Sequence, residues 1–261
     1  MPRAEAAARR AIELDPNYAD GYASLGRVMD VRRQLVLAEE LYSKALALDP
    51  NNPDVLHRYS SLLAGLGRLK EALAMRQLLQ QLEPFVPIFN AVTASVLWEN
   101  GQNDIAIAMF KDMPQGRVGR AGELARIYAA AGRYSEAVDS ILEIPPGNYL
   151  PGTVEEAARL LRKAPAIAAS PQSLPRLGYL GFVYLYVGAP DRILDFHDGS
   201  VAAGYSVPGT TAWLWHPSYA PVRKTERFKA FVQSAGLVDY WRVKGWPEFC
   251  RPMADDDFVC V

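Results

Sequence analysis

Three helix stops recur at constant spacing, and they constrain this chain more than its composition does. Asp15-Pro16, Asp49-Pro50 and Glu83-Pro84 stand 34 residues apart. Each closes an apolar helical run: AIEL, ALAL and LLQQL. Proline has no amide hydrogen and disfavours helix in the residue before it, so each pair ends a helix. The Asp or Asn beside it is suited to cap the helix that follows. Between the stops lie two amphipathic helices and a short turn. Such a unit cannot bury its apolar face alone and needs a stacked neighbour.

In the first full unit Tyr22, Leu25, Gly26 and Met29 share one helix face, and Ala38, Tyr42 and Ala45 share the next. Small residues at Gly26 and Ala38 let antiparallel helices approach, while large neighbours fill the gap. This order of aromatic, Leu-Gly, Ala, aromatic, Ala and Pro resembles the tetratricopeptide repeat. The second unit fits with Leu56, Ser60, Leu63, Gly67, Ala72, Leu79 and Pro84, and departs at Arg76, where an aromatic is usual. The third fits with Ala94, Leu97, Gly101, Ala106 and Phe110, its second helix cut short at Pro114. The fourth fits with Leu124, Ala125, Tyr128, Gly132, Ala137 and Ile141, closing at Pro145.

The resemblance implies an all-α fold, a right-handed superhelical solenoid with a helical C-terminal cap. It also implies that the first helix of each repeat lines a concave groove whose ligands are peptides. By position the groove would present Asp20, Arg27, Asp30, His57, Ser61, Ile88, Ser95, Trp98 and Arg126, a polar surface with one aromatic anchor. The alternative is that these are ordinary exposed helix residues. The Lys/Asn clamp with which some members grip a peptide carboxylate is absent, since its places hold Ala23 and Arg27.

Residues 1–16 read as the second helix of a repeat whose first helix is missing, 17–145 as about four repeats, and 146–261 as degenerate helical repeats with an aromatic-rich cap. The half repeat suggests a fragment of a longer polypeptide; the other reading is a lone helix capping the array. A bare helix end also offers a homodimer contact through Ala4 to Ala11. In the third region, Leu177 to Ala189 reads as a buried helix within one more helix pair that runs to Gly204. The closing segment then orders His216-Pro217, Arg223 with Arg227-Phe228, Gly236-Leu237, Tyr240-Trp241 and Trp246-Pro247 with Phe249-Cys250. It resembles the ends of bacterial tetratricopeptide proteins in which the array follows a nucleotide cyclase or winged-helix domain. That implies a protein-binding part of a bacterial signalling or regulatory protein.

Composition excludes little by itself, but it points the same way. With 28 basic and 29 acidic residues, the chain lacks the basic bias of a nucleic-acid or anionic-membrane binder. The basic clusters Arg32-Arg33 and Arg223-Lys224 with Arg227 and Lys229 read as solvated helix faces. Nucleotide, hydrolase, zinc-protease and CxxC motifs are missing, so no cofactor, metal or catalytic residue is assigned. His57, His197 and His216 fall in different units and read as packing residues. An enzyme using the aromatic C-terminal region remains the contrary reading. No signal peptide or long apolar run is visible, which suggests the cytoplasm, or the periplasm for a piece of a longer protein. Cys250 and Cys260 are spaced to permit a disulfide, with free thiols expected in the cytosol. DDDFVCV reads as a mobile tail whose Asp255 to Asp257 could attract a cation.

Overall fold

The computed structural model describes residues 2–117, 119–202, 211–254 and 257–261. The array runs through α1 (Pro2–Leu14), α2 (Ala19–Val31), α3 (Leu35–Leu48), α4 (Pro53–Gly65), α5 (Leu69–Leu82), α6 (Pro87–Glu99), α7 (Asn103–Asp112), α8 (Arg120–Ala130), α9 (Tyr134–Leu142) and α10 (Thr153–Leu161). Helices α2 to α9 pack as consecutive antiparallel pairs, α1 leans on α2 and α10 on α9, which is a tetratricopeptide-type solenoid. Helices α1, α3 and α5 end at Leu14, Leu48 and Leu82, just before the three stops. The expected side-chain cap forms only at α4, where Asn52 accepts from the Val55 amide; Tyr18 and Val86 precede α2 and α6 with no side-chain cap, and Pro53 and Pro87 begin α4 and α6.

Close approach explains the small residues. Ala38, Ala45, Ala72, Ala94, Ala106, Ala125 and Ala137 are all buried. A Cβ on Gly26 would sit 3.3 Å from the Ala38 carbonyl, so a larger residue there would push the first pair apart by a few tenths of an ångström. Arg76, at the place an aromatic normally fills, is fully buried. Its guanidinium donates to the His57 carbonyl at 2.8 Å and the Ser61 hydroxyl at 2.7 Å, and lies 2.8 Å from His57 Nδ1.

Beyond α10 the expected buried helix is a run of 3₁₀ turns, Gly178–Val187, packed against α8 and α10. Leu180, Phe182 and Val183 are buried there. After another 3₁₀ turn, helix α11 spans Leu194–Ala202, and Gly204 lies outside the described residues.

The closing segment reaches well past the end of the array. It folds back along the turns between the paired helices of the first two repeats, at Arg33 and at Gly65 to Gly67. The Trp215 indole donates to the Gly65 carbonyl at 2.9 Å and the Trp241 indole to the Leu66 carbonyl at 3.0 Å. Tyr240 donates to Glu39 at 3.0 Å and accepts from Arg68 at 2.8 Å, while Arg68 also pairs with Glu39. Gly67, with φ of 85°, turns the chain where Pro247 lies against it.

Two expectations from the sequence are corrected here. The basic clusters are not simply solvated. Arg33 donates to the Ser234 and Val201 carbonyls, and Arg227 holds Asp195 and Asp198. Arg223 is buried, donating to the carbonyls of Leu214, His216 and Val261. These arginines satisfy backbone carbonyls that a folded-back segment leaves without partners. Nor is the tail a free end. β1 (Cys250–Pro252) and β2 (Phe258–Cys260) form an antiparallel hairpin closed by a Cys250–Cys260 disulfide. Phe258 is buried against Trp241 and Trp246, and that apolar burial holds the hairpin down. Asp255 and Asp256 lie outside the described residues, and Asp257 pairs with Lys229 at 3.2 Å.

Candidate functional site: the concave face and its occupied edge

The first helices α2, α4, α6 and α8 carry the positions assigned to the groove, and the structure divides those residues into three groups. Asp20 and Arg27 line a cavity of about 520 Å³ at the N-terminal end, between the alanine face of α1 and the side chains of Asp54 and Arg58. Asp20 accepts from the Asn52 side chain at 2.9 Å. Asp30, one turn beyond Arg27, is partly exposed and has its own interactions.

The second group faces the middle of the array. Ser61 and Ser95 line a cavity of about 270 Å³, floored by Ala64, Ala91, Val92 and Val96 and walled by Glu99, Glu123, Tyr179 and Trp213. His57 stacks on Phe89 with ring centroids 4.9 Å apart and is tied to Arg76. Burial and the Arg76 charge push its pKa down to about 4, so it is neutral at pH 7. Ile88 is half exposed at the start of α6.

The third group is covered. Trp98 is fully buried and stacks on His216 at 4.2 Å. Arg126 is 1% exposed, and its guanidinium lies 3.8 Å from the Trp213 ring centroid and 4.7 Å from that of Tyr179. It donates to both oxygens of Glu123, at 3.0 and 2.9 Å, and Tyr179 donates to the same carboxylate. The aromatic anchor and the arginine assigned to a partner are thus held by the chain's own closing segment. A partner reaches them only by displacing it.

Beside Arg126 the groove holds a further buried charged residue, Glu99, which the sequence pattern does not single out. Glu99 stands one turn after Ser95 and so shares its face, a signal the i, i+4 spacing carries. It is 3% exposed, and its Oε2 has no hydrogen-bond partner among the described residues. Burial, reinforced by Glu123 and opposed by Arg126 and Arg76, pushes its pKa up to about 8. Arg76 is pushed down to about 9 by burial. His197 and His216 are depressed to about 3 and about 4, mainly by burial. These histidines pack. Nδ1 of His216 contacts the Ser218 hydroxyl at 2.8 Å, within its own turn. Among the described residues no three His, Cys, Asp or Glu side chains gather to hold a metal, and no helix is long and apolar enough to cross a membrane.

Stacked helix pairs, a concave face with two open cavities and an edge that already holds a polypeptide segment define a helical-repeat scaffold. The chain carries tetratricopeptide repeats: the family model of that description matches residues 32–95. Residues in a 64-residue stretch are 42% identical to the type IV pilus assembly protein PilF of Pseudomonas aeruginosa, covering 24% of this chain and 25% of that protein. The chain therefore matches about a quarter of the length of that curated relative. Among solved structures, Pseudomonas aeruginosa PilF aligns with a TM-score of 0.50 at 22% identity, over 79% of this chain and 84% of that one. PilW, a widely conserved type IV pilus biogenesis factor, aligns at 0.51 and 20% identity, over 79% and 87%. At those identities the likeness is one of fold.

Proposed function

We propose that this chain is a non-enzymatic docking module that takes an extended or helical partner peptide along the concave faces of α2, α4 and α6. The observation that carries the reading is the pair of open cavities on that face, one at Asp20 and Arg27 and one at Ser61 and Ser95. They alternate small apolar floors with polar walls, as a peptide groove requires. The array's edge meanwhile binds the closing segment through indole-to-carbonyl hydrogen bonds and stacked rings, the chemistry of peptide recognition performed within one chain.

The closing segment's resemblance to those of bacterial regulatory proteins supports a signalling setting. The stretch shared with a pilus assembly protein supports a second one, service to an assembly at the cell surface. The Cys250–Cys260 disulfide favours the periplasm over the cytoplasm for this part of the polypeptide, because thiols in a reducing compartment stay free. A peptide array tests the docking reading. Binders should lose at least about tenfold in affinity on Arg27→Glu or Ser95→Trp, a loss of about 1.4 kcal/mol. An array with no binder, or binders indifferent to both changes, overturns it.

A further inference from the structure

The central cavity holds a carboxyl group in an unusual state. Glu99 is 3% exposed, and its Oε2 makes no hydrogen bond among the described residues. The two cations nearest in the field of this group are engaged elsewhere. Arg76, on α5, is spent on His57 and Ser61. Arg126, on α8, donates to Glu123 through Nη1 alone and lays its guanidinium plane against the rings of Trp213 and Tyr179, with Nε and Nη2 making no hydrogen bond among the described residues. No ion pair to Glu99 exists among the described residues, whereas Glu123 across the cavity has both Arg126 and Tyr179. A buried carboxyl oxygen left without a hydrogen-bond partner is costly in either protonation state, and native structures supply one. Glu99 lines this cavity, whose apolar floor is Ala64, Val92 and Val96.

We infer that this cavity seats a cationic side chain, a lysine or arginine of the partner peptide, with its hydrocarbon stem along that floor and its charged head donating to Glu99. Long basic side chains suit such a site because their stems are apolar and only their tips are charged. The inference rests on the peptide-binding reading and names the partner's chemistry at one position. It carries a proton linkage. Around Glu99 stand Arg76 on α5, Glu123 and Arg126 on α8, and Tyr219 from the closing segment. In the free protein the carboxyl is held mostly protonated below about pH 8. A cation therefore binds as the Glu99 proton leaves to solvent, and affinity rises with pH up to that value.

The test uses n-butylguanidinium as the probe and neutral n-butylurea as its isostere. Methyl resonances of Val92, Val96 and Met113 are followed on titration into the full chain. The guanidinium should produce saturable shifts, tightening by up to about tenfold per pH unit between pH 6 and 8. Glu99→Gln should weaken it at least about tenfold, the order expected for losing a charged hydrogen bond. Ser95→Leu, which fills the cavity from its rim, should block it while leaving the helical circular dichroism unchanged. That second variant keeps the test open should Glu99→Gln unfold. Equal binding of n-butylurea, affinity independent of pH, indifference to both variants, or no saturable shift at all would overturn the inference and leave a hydrated cavity. Array peptides that bind while the guanidinium does not would sink this inference and spare the docking reading. Guanidinium binding with no peptide binder would sink the docking reading alone.

Discussion

Alanine at Gly67 tests whether the closing segment is truly seated on the repeat turns. Gly67, Gly101 and Gly132 occupy the same turn in successive repeats, with φ of 85°, 79° and 73°. An alanine at any of them pays the left-handed backbone cost of roughly 1–2 kcal/mol. Their surroundings differ. A Cβ on Gly101 or Gly132 would meet nothing within 4 Å, whereas one on Gly67 would lie 2.7 Å from Cβ of Pro247 and 3.4 Å from the Trp215 ring. Pro247 is held in place by the hairpin and Trp246, so relief requires moving the segment, at an overpacking cost of roughly 1–3 kcal/mol. Gly101→Ala and Gly132→Ala should therefore each cost about 1–2 kcal/mol, and Gly67→Ala about 2–5 kcal/mol. Urea melts followed by tryptophan emission measure all three, since Trp215 and Trp241 sit at the contact. The three losses agreeing within about 0.5 kcal/mol would refute the folded-back placement, because then nothing rests on the second turn.

Other consequences are accessible to stability measurements. Replacing both Cys250 and Cys260 by serine should cost roughly 2–3 kcal/mol from a loop of this length, and thiol alkylation of the native protein should modify neither residue; full alkylation without reduction would remove the disulfide from the account. Arg126→Met should cost roughly 3–5 kcal/mol by stranding Glu123, while Arg126→Met with Glu123→Leu should recover much of it; equal losses for the single and double changes would show that the pair is not acting as one unit. Acid should destabilise through the buried histidines: their folded pKa values are depressed, so the stability they contribute is present above about pH 6.5 and is lost as pH falls toward 4, a slope that His197→Phe should shallow in thermal melts. Glu99 works in the opposite sense: its folded pKa is raised, so its stabilisation is present below about pH 4.5 and is lost as pH rises toward 8, and Glu99→Gln should flatten that alkaline decline.

The array was legible because its determinants are local and periodic. Pro50 and Pro84 mark seams, Gly26 and Ala38 mark a close approach, and each lies within one repeat of its partner. The closing segment was not legible in the same way. Its tryptophans showed that apolar area would be covered, yet Trp215 meets Gly65 across 150 residues of chain, and no periodicity links them. The basic residues Arg33 and Arg223 looked like a solvated face because a sequence does not show the carbonyls waiting for them. Arg76 breaks the repeat pattern visibly, but its bonds to His57 and Ser61 depend on the neighbouring helix. Trp98 and Arg126 stand on the first helices α6 and α8. What covers them comes from the far end of the chain. Glu99 was within reach, since it follows Ser95 by one turn.

The docking reading makes its sharpest commitment about where a partner lies. Hydrogen exchange on the chain with and without a saturating array-selected peptide measures this directly. The account requires added protection on the amides of α2, α4 and α6, with the exposed faces of α3 and α5 unchanged. Protection confined to α3, α5 or the Cys250–Cys260 hairpin would place the binding surface elsewhere and contradict it.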